Sequence, residues 1–125
     1  MKKIMMAAMC MLVAGLVQAI EFNEIRKNTD GATTAQFEAY ANPLLGSRVY
    51  WKGWVRDVET ASGDQCKVEI DMDNPANGYT SYDVVIYLPA YKAMKLKPKE
   101  PISFNGKIEK ISKLFGATVY LSDVQ

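Results

Sequence analysis

The sequence predicts an all-β fold with minor helices, in which five strands close into a small barrel behind a leading helix. Two observations carry that expectation. The segment Val49-x-Trp51-x-Gly53-x-Val55-x-x-Val58 has the same apolar spacing, glycine included, as Ile102-x-Phe104-x-Gly106-x-Ile108-x-x-Ile111. Each is a long alternating strand with a central glycine and a phase change near its end. A glycine inside a strand weakens it unless the backbone bends sharply or meets another chain closely, and a phase change is what a bulge produces. The second observation is the element order: helix, three strands, helix, two strands. It sets the two curled strands first and fourth of five, as a small closed barrel requires.

Residues 1–19 stand apart from that fold. Lys2 and Lys3 precede an uncharged run from Ile4 to Val17, and Val17-Gln18-Ala19 supplies a cleavage-type ending. This is the anatomy of a cleavable export signal, so cleavage is expected after Ala19 and the address is the periplasm. The run is short for a bilayer-spanning helix, which takes ~20 residues. Cys10 would suit a lipid anchor only behind a small residue, and Met9 is large.

Residues 20–34 form an N-terminal extension, and residues 35–125 form the barrel domain with its leading helix. Thr33 and Thr34 suit a helix cap, and Phe37, Tyr40 and Ala41 recur at helical spacing until Asn42-Pro43 ends the helix. From Arg48 the period becomes two: Val49, Trp51, Gly53 and Val55 share one face, and Tyr50, Lys52, Trp54 and Arg56 the other. Ser62-Gly63-Asp64 turns the chain into Cys66-x-Val68-x-Ile70, a hairpin expected to close between Asp57 and Gln65. A loop from Met72 to Ser81 leads to a third strand, Asp83 to Leu88. Pro89 then opens a short helix from Ala90 to Leu96. After the Lys97–Pro101 link come strands Ile102–Ser112 and Ala117–Asp123, joined by a turn around Phe115-Gly116.

Composition excludes several chemistries. The chain has no His, which removes histidine triads, histidine metal sites and imidazole relays. Cutting after Ala19 takes 19 of 125 residues and leaves 13 basic against 14 acidic side chains. These divide unevenly: residues 20–91 carry 6 basic and 11 acidic groups, and residues 92–125 carry 7 and 3. Cys66 would be the one remaining cysteine, so no internal disulfide forms, and its alternation with Val68 and Ile70 marks it as a core thiol.

Several of these residues carry a family resemblance: Tyr40 and Asn42 before Gly46-Ser47-Arg48-Val49, then Gly53-Trp54-Val55, Ala93-Met94-Lys95-Leu96 and Phe104-Asn105-Gly106-Lys107-Ile108. In them the chain resembles the small exported bacterial proteins with a single OB-fold, the tRNA-anticodon-binding-domain-like (tRNA_anti-like) family. The resemblance spans about Ala35 to Val124. It implies an OB-fold barrel and no general catalytic signature, and the anticodon name describes shape.

Barrels of this kind usually bind on the outer face of strands two and three. The outward set is Tyr50, Lys52, Trp54, Arg56, Lys67, Glu69, Val85 and Tyr87, and from it the expected ligand-binding residues are Tyr50, Lys52, Trp54, Arg56, Lys67 and Tyr87. Three aromatics beside three cations suit stacking, whereas Glu69, Asp71 and Asp83 repel phosphates. Three occupants remain open: the leading helix through Phe37 and Tyr40, a protein or peptide, or a polyanion such as nucleic acid or glycan. A basic rim is expected from Lys92, Lys95, Lys97, Lys107, Lys110 and Lys113. The Asp71–Gly78 loop fails as an EF-hand because Pro75 and Ala76 hold its fifth and sixth positions. Haem chaperones of this fold need a His, and its secreted nucleases need an acidic and arginine set that is missing here. The familiar toxin B-subunits carry an internal disulfide that this chain cannot make. The expectation is therefore a non-enzymatic periplasmic binding module without cofactor or metal, its partner another periplasmic or envelope protein.

Overall fold

The computed structural model describes residues 20–75, 82–113 and 116–125. The expected export signal, the part of the Met72–Ser81 loop beyond Pro75, and Phe115 of the last turn lie outside them. The described elements are α1 (Phe22–Thr29), α2 (Thr34–Ala41), a 3-10 turn (Asn42–Leu44), β1 (Arg48–Thr60), β2 (Gln65–Asp71), β3 (Val84–Pro89), α3 (Ala90–Ala93), β4 (Pro101–Ser112) and β5 (Thr118–Ser122). No helix among the described residues is long and apolar enough to cross a membrane.

The five strands form one sheet that closes on itself in the order β1-β2-β3-β5-β4. All neighbours are antiparallel except β3 and β5, which pair in parallel through Val84–Val119 and Val85–Tyr120. The two echoing segments lie side by side in β1 and β4, with Trp51 opposite Phe104 and Val49 opposite Gly106. Both bulges are present, between Val55 and Asp57 in β1 and between Ile108 and Lys110 in β4. Both glycines are sites of close approach: a Cβ on Gly53 would lie 2.6 Å from the Asp71 carbonyl oxygen, and one on Gly106 would lie 2.9 Å from that of Ser122. Closure thus rests on the residue types that allow one strand to cross tightly over the next.

Inward side chains fill the barrel as the alternation requires. Val49, Trp51, Val55, Cys66, Val68, Ile70, Val84, Ile86, Phe104, Ile108, Val119 and Leu121 form one buried cluster. Trp51 and Phe104 meet edge to face with ring centres 6.4 Å apart. The hairpin between β1 and β2 extends beyond the expected Asp57–Gln65 closure. Its last ladder pair is Thr60–Cys66, and Asp57 lies opposite Glu69 because the bulge displaces the register.

The 20–34 extension holds a helix that no capping residue announces. Glu21 stands at the N-cap of α1 without a side-chain cap bond, so tertiary contacts supply the stability. Phe22 packs edge-on against Trp51 at 5.6 Å, Ile25 is fully buried, and the Trp51 indole N–H donates to the Ile20 carbonyl at 2.9 Å. Helix α2 forms where Thr33 predicts it. The Gln36 N–H donates to Thr33 Oγ1 at 3.2 Å while Gln36 Oε1 accepts from the Thr33 N–H at 3.0 Å, a reciprocal cap. Helix α3 is shorter than the expected Ala90–Leu96 span. Pro89 ends β3 and serves as its N-cap, and the helix stops at Ala93.

Candidate functional site

Side-chain alternation on β1, β2 and β3 builds an outer face with Tyr50, Lys52, Trp54, Asp57 and Glu59 from β1, Lys67, Glu69 and Asp71 from β2, and Val85 and Tyr87 from β3, but Val85 is fully buried and Glu69 and Asp71 nearly so. Arg56 occupies the bulge. Tyr50 and Tyr87 are 66% and 43% exposed, so the leading helix does not cover them. Phe37 and Tyr40 instead pack against the core cluster, with the Lys113 ammonium 5.6 Å from the Phe37 ring centre.

The face is more acidic than a platform of three aromatics and three cations suggests. The β1 bulge keeps Arg56 outward and brings Asp57 outward too, opposite Glu69. As a result, Asp57, Glu59 and Glu69 each place a carboxylate oxygen within 4.8 Å of the others. Two expected ligand-binding cations are engaged there: Lys67 Nζ lies 3.4 Å from Glu69, and Arg56 lies 3.8 Å from the buried Asp71. Burial works against the Lys67 ammonium, but Glu69, together with Tyr82 and Glu59, outweighs it and holds its pKa above the ordinary lysine value. Oxygen donors of this kind suit calcium or magnesium, although Lys67 already supplies part of the compensating charge.

Beside this face, the Arg26 guanidinium of α1 grips the Asp73 carboxylate through both oxygens, at 3.1 and 3.0 Å, and lies 3.2 Å from Asp83. Asp83 Oδ2 also accepts from the Met72 N–H at 2.8 Å. Burial pushes the Asp83 carboxyl above the usual carboxylate range, against the downward pull of that N–H and of Arg26. The group ties α1 to the loop after β2. Arg26 is 47 residues from Asp73, and sequence reasoning missed it.

Tyr50 and Lys52 border two clefts. One, of about 390 Å³, also takes in Ser103, Asn105 and Gln125, and the other, of about 300 Å³, takes in Glu21, Asn23 and Met72. A third, of about 440 Å³, lies between Arg26 and Lys113.

The six lysines expected to form one rim fall into two groups. Lys92, Lys95 and Lys97 sit on α3 and its link, fastened to the β1 bulge by the Lys99 N–H donating to the Val55 carbonyl and the Val55 N–H donating to the Glu100 carbonyl. Lys107 and Lys110 belong to the far half of β4, and Lys113 follows its end. At ~3.3 Å of rise per residue, the strand separates the groups by on the order of 30 Å. The far group is engaged locally, with Lys107 3.9 Å from Asp123, Lys110 over the Tyr120 ring, and Lys113 donating to the Ala32 carbonyl.

No protein-family model matches the chain, and no curated protein matches it. Among solved structures, the chain is similar to the OBody AM3L15 bound to hen egg-white lysozyme. Identity is 19%, coverage is 66% of this chain and 78% of that chain, and the TM-score is 0.45.

Proposed function

We propose that the chain is an exported, non-enzymatic OB-fold module that recognises a protein or peptide partner through the outer face of β1, β2 and β3. The observation that carries this reading is the charge pattern on that face. Lys52, Arg56 and Lys67 stand among Asp57, Glu59, Glu69 and Asp71, and two of the cations already contact carboxylates. A polyphosphate would have to displace those carboxylates and then meet their repulsion. A protein interface instead combines exposed aromatic anchors with charges of both signs, as Tyr50 and Tyr87 do here. The OB-fold reading is supported by the strand order, by the parallel β3–β5 pairing and by the two bulged, glycine-centred strands. The periplasmic address is supported by the composition of residues 1–19.

The test uses the chain from Ile20, which contains the whole closed sheet. A photo-crosslinking residue at position 87 in envelope extract should trap a protein, and Tyr50→Ala should reduce the trapped amount while leaving the melting temperature unchanged. Heparin and single-stranded oligothymidylate serve as polyanion probes. Binding to either that weakens steeply with added salt and is lost in Tyr50→Ala would overturn the reading in favour of a polyanion.

A further inference from the structure

The two most exposed large apolar side chains among the described residues, Met94 at 70% and Tyr91 at 68%, stand together at the corner after β3. They are three residues apart on α3 and its C-cap, hence neighbours on one helical face. The opposite side is anchored, with Ala93 buried and Leu96 packed against the core. Around the pair, Lys92, Lys95, Lys97 and Lys99 are all exposed. Two acids lie within reach. Asp64 receives the Ala90 N–H on its backbone carbonyl, and Glu100 Oε1 accepts from the Lys97 N–H at 3.2 Å, while residues 90–99 themselves carry four lysines and no acid. The corner is tied to β1, with the Lys99 N–H donating to the Val55 carbonyl at 2.7 Å and the Val55 N–H to the Glu100 carbonyl at 2.8 Å.

From this we infer that the corner is a docking surface for an anionic phospholipid bilayer. Tyr91 and Met94 enter the headgroup boundary, and the four lysines lie over the lipid phosphates. Aromatic and apolar tips ringed by lysine are the composition of interfacial membrane contacts. Charge complementarity with an anionic leaflet supplies the rest of the attraction. The shape favours lipid over an acidic protein. Stable protein partners cover about 800 Å² of each surface, whereas two protruding side chains need only a fluid interface to sink into. The three clefts described above are lined by other residues.

The test is flotation of the chain from Ile20 with vesicles of phosphatidylglycerol and phosphatidylcholine, against vesicles of phosphatidylcholine alone. Starting at Ile20 leaves out the uncharged run, which would bind lipid by itself. The chain should float with the anionic vesicles, release as salt rises, and stay behind with the neutral ones. Tyr91→Ser with Met94→Ser, and separately Lys92→Glu with Lys95→Glu, should each weaken partitioning at least about tenfold. Both pairs are exposed, and unchanged circular dichroism and melting would show the fold intact. Lys107→Glu with Lys110→Glu on β4 should change partitioning less than about twofold. Equal binding to neutral vesicles, no binding to anionic ones, or an equal loss in the β4 pair would overturn the proposal. Retention on polyglutamate without vesicle binding would overturn it in favour of an acidic protein partner.

Discussion

Substituting alanine for Gly53 tests the closure of the barrel directly. The added methyl would stand 2.6 Å from the Asp71 carbonyl oxygen, 2.8 Å from Ile70 Cγ2 and 3.0 Å from the Met72 sulfur. Ordinary contact begins near 3.4 Å, so the first approach is about 0.8 Å too short. The sulfur can swing away. The carbonyl belongs to β2 at its pairing with Trp54, and Ile70 is fully buried, so β1 and β2 must part locally. Overpacking of this kind costs ~1–3 kcal/mol, and a weakened ladder bond adds ~1 kcal/mol. The stiffer unfolded chain of the alanine variant offsets ~0.5–1 kcal/mol of that. The net loss is therefore about 1–3.5 kcal/mol, or a melting point lower by roughly 5–20 °C for a domain of this size. Urea titration followed by tryptophan fluorescence measures it, with an unchanged m-value showing that the comparison is sound. The control is Gly63→Ala, where φ is +68° and nothing lies within 4 Å, so only backbone strain of ~1 kcal/mol applies. If Gly53→Ala proves no more destabilising than Gly63→Ala, the close crossing of β1 and β2 does not hold the barrel shut.

Other perturbations follow from buried groups. The Asp83 carboxyl is raised above its unfolded value, so it adds stability as pH falls through its folded pKa and withdraws it as pH rises. Asp83→Asn deletes that contribution, so its urea midpoint should fall more steeply than that of the parent between about pH 7 and pH 4; parallel slopes would contradict the assignment. Cys66 is buried on the inward face of β2. In the chain from Ile20 its thiol should react with a disulfide-exchange reagent no faster than the barrel unfolds, and prompt labelling in native buffer would place it outside the core.

How much of this was legible depended on how local each cause is. The glycine, the bulge and the alternation of β1 and β4 act within about ten residues of each strand, and they appear in the sequence as a repeated spacing. The Thr33 cap is equally local. Helix α1 is not, because Phe22 and Ile25 are ordered by Trp51 and by the barrel interior, and Arg26 by acids some fifty residues away. Its spacing of apolar residues was a signal, but no cap residue reinforced it. The electrostatics of the outer face fall between these cases. The Val55-x-x-Val58 phase change was visible, and its corollary is that Asp57 turns outward to join Glu59 and Glu69. The lysines looked like one rim because they are close in sequence, yet the length of β4 holds them apart.

Glu21–Asn23 at one end of the described chain and Gln125 at the other border clefts on either side of Tyr50 and Lys52. In the chain from Ile20, anything appended to either end, whether an affinity tag, a reporter or a fused domain, would emerge beside the exposed Tyr50 ring and crowd it. Chain ends could instead be relocated to Ser62-Gly63, at the tip of the first hairpin, with the old ends joined by a short linker. That rearrangement would leave the Tyr50 surface open to whatever approaches it.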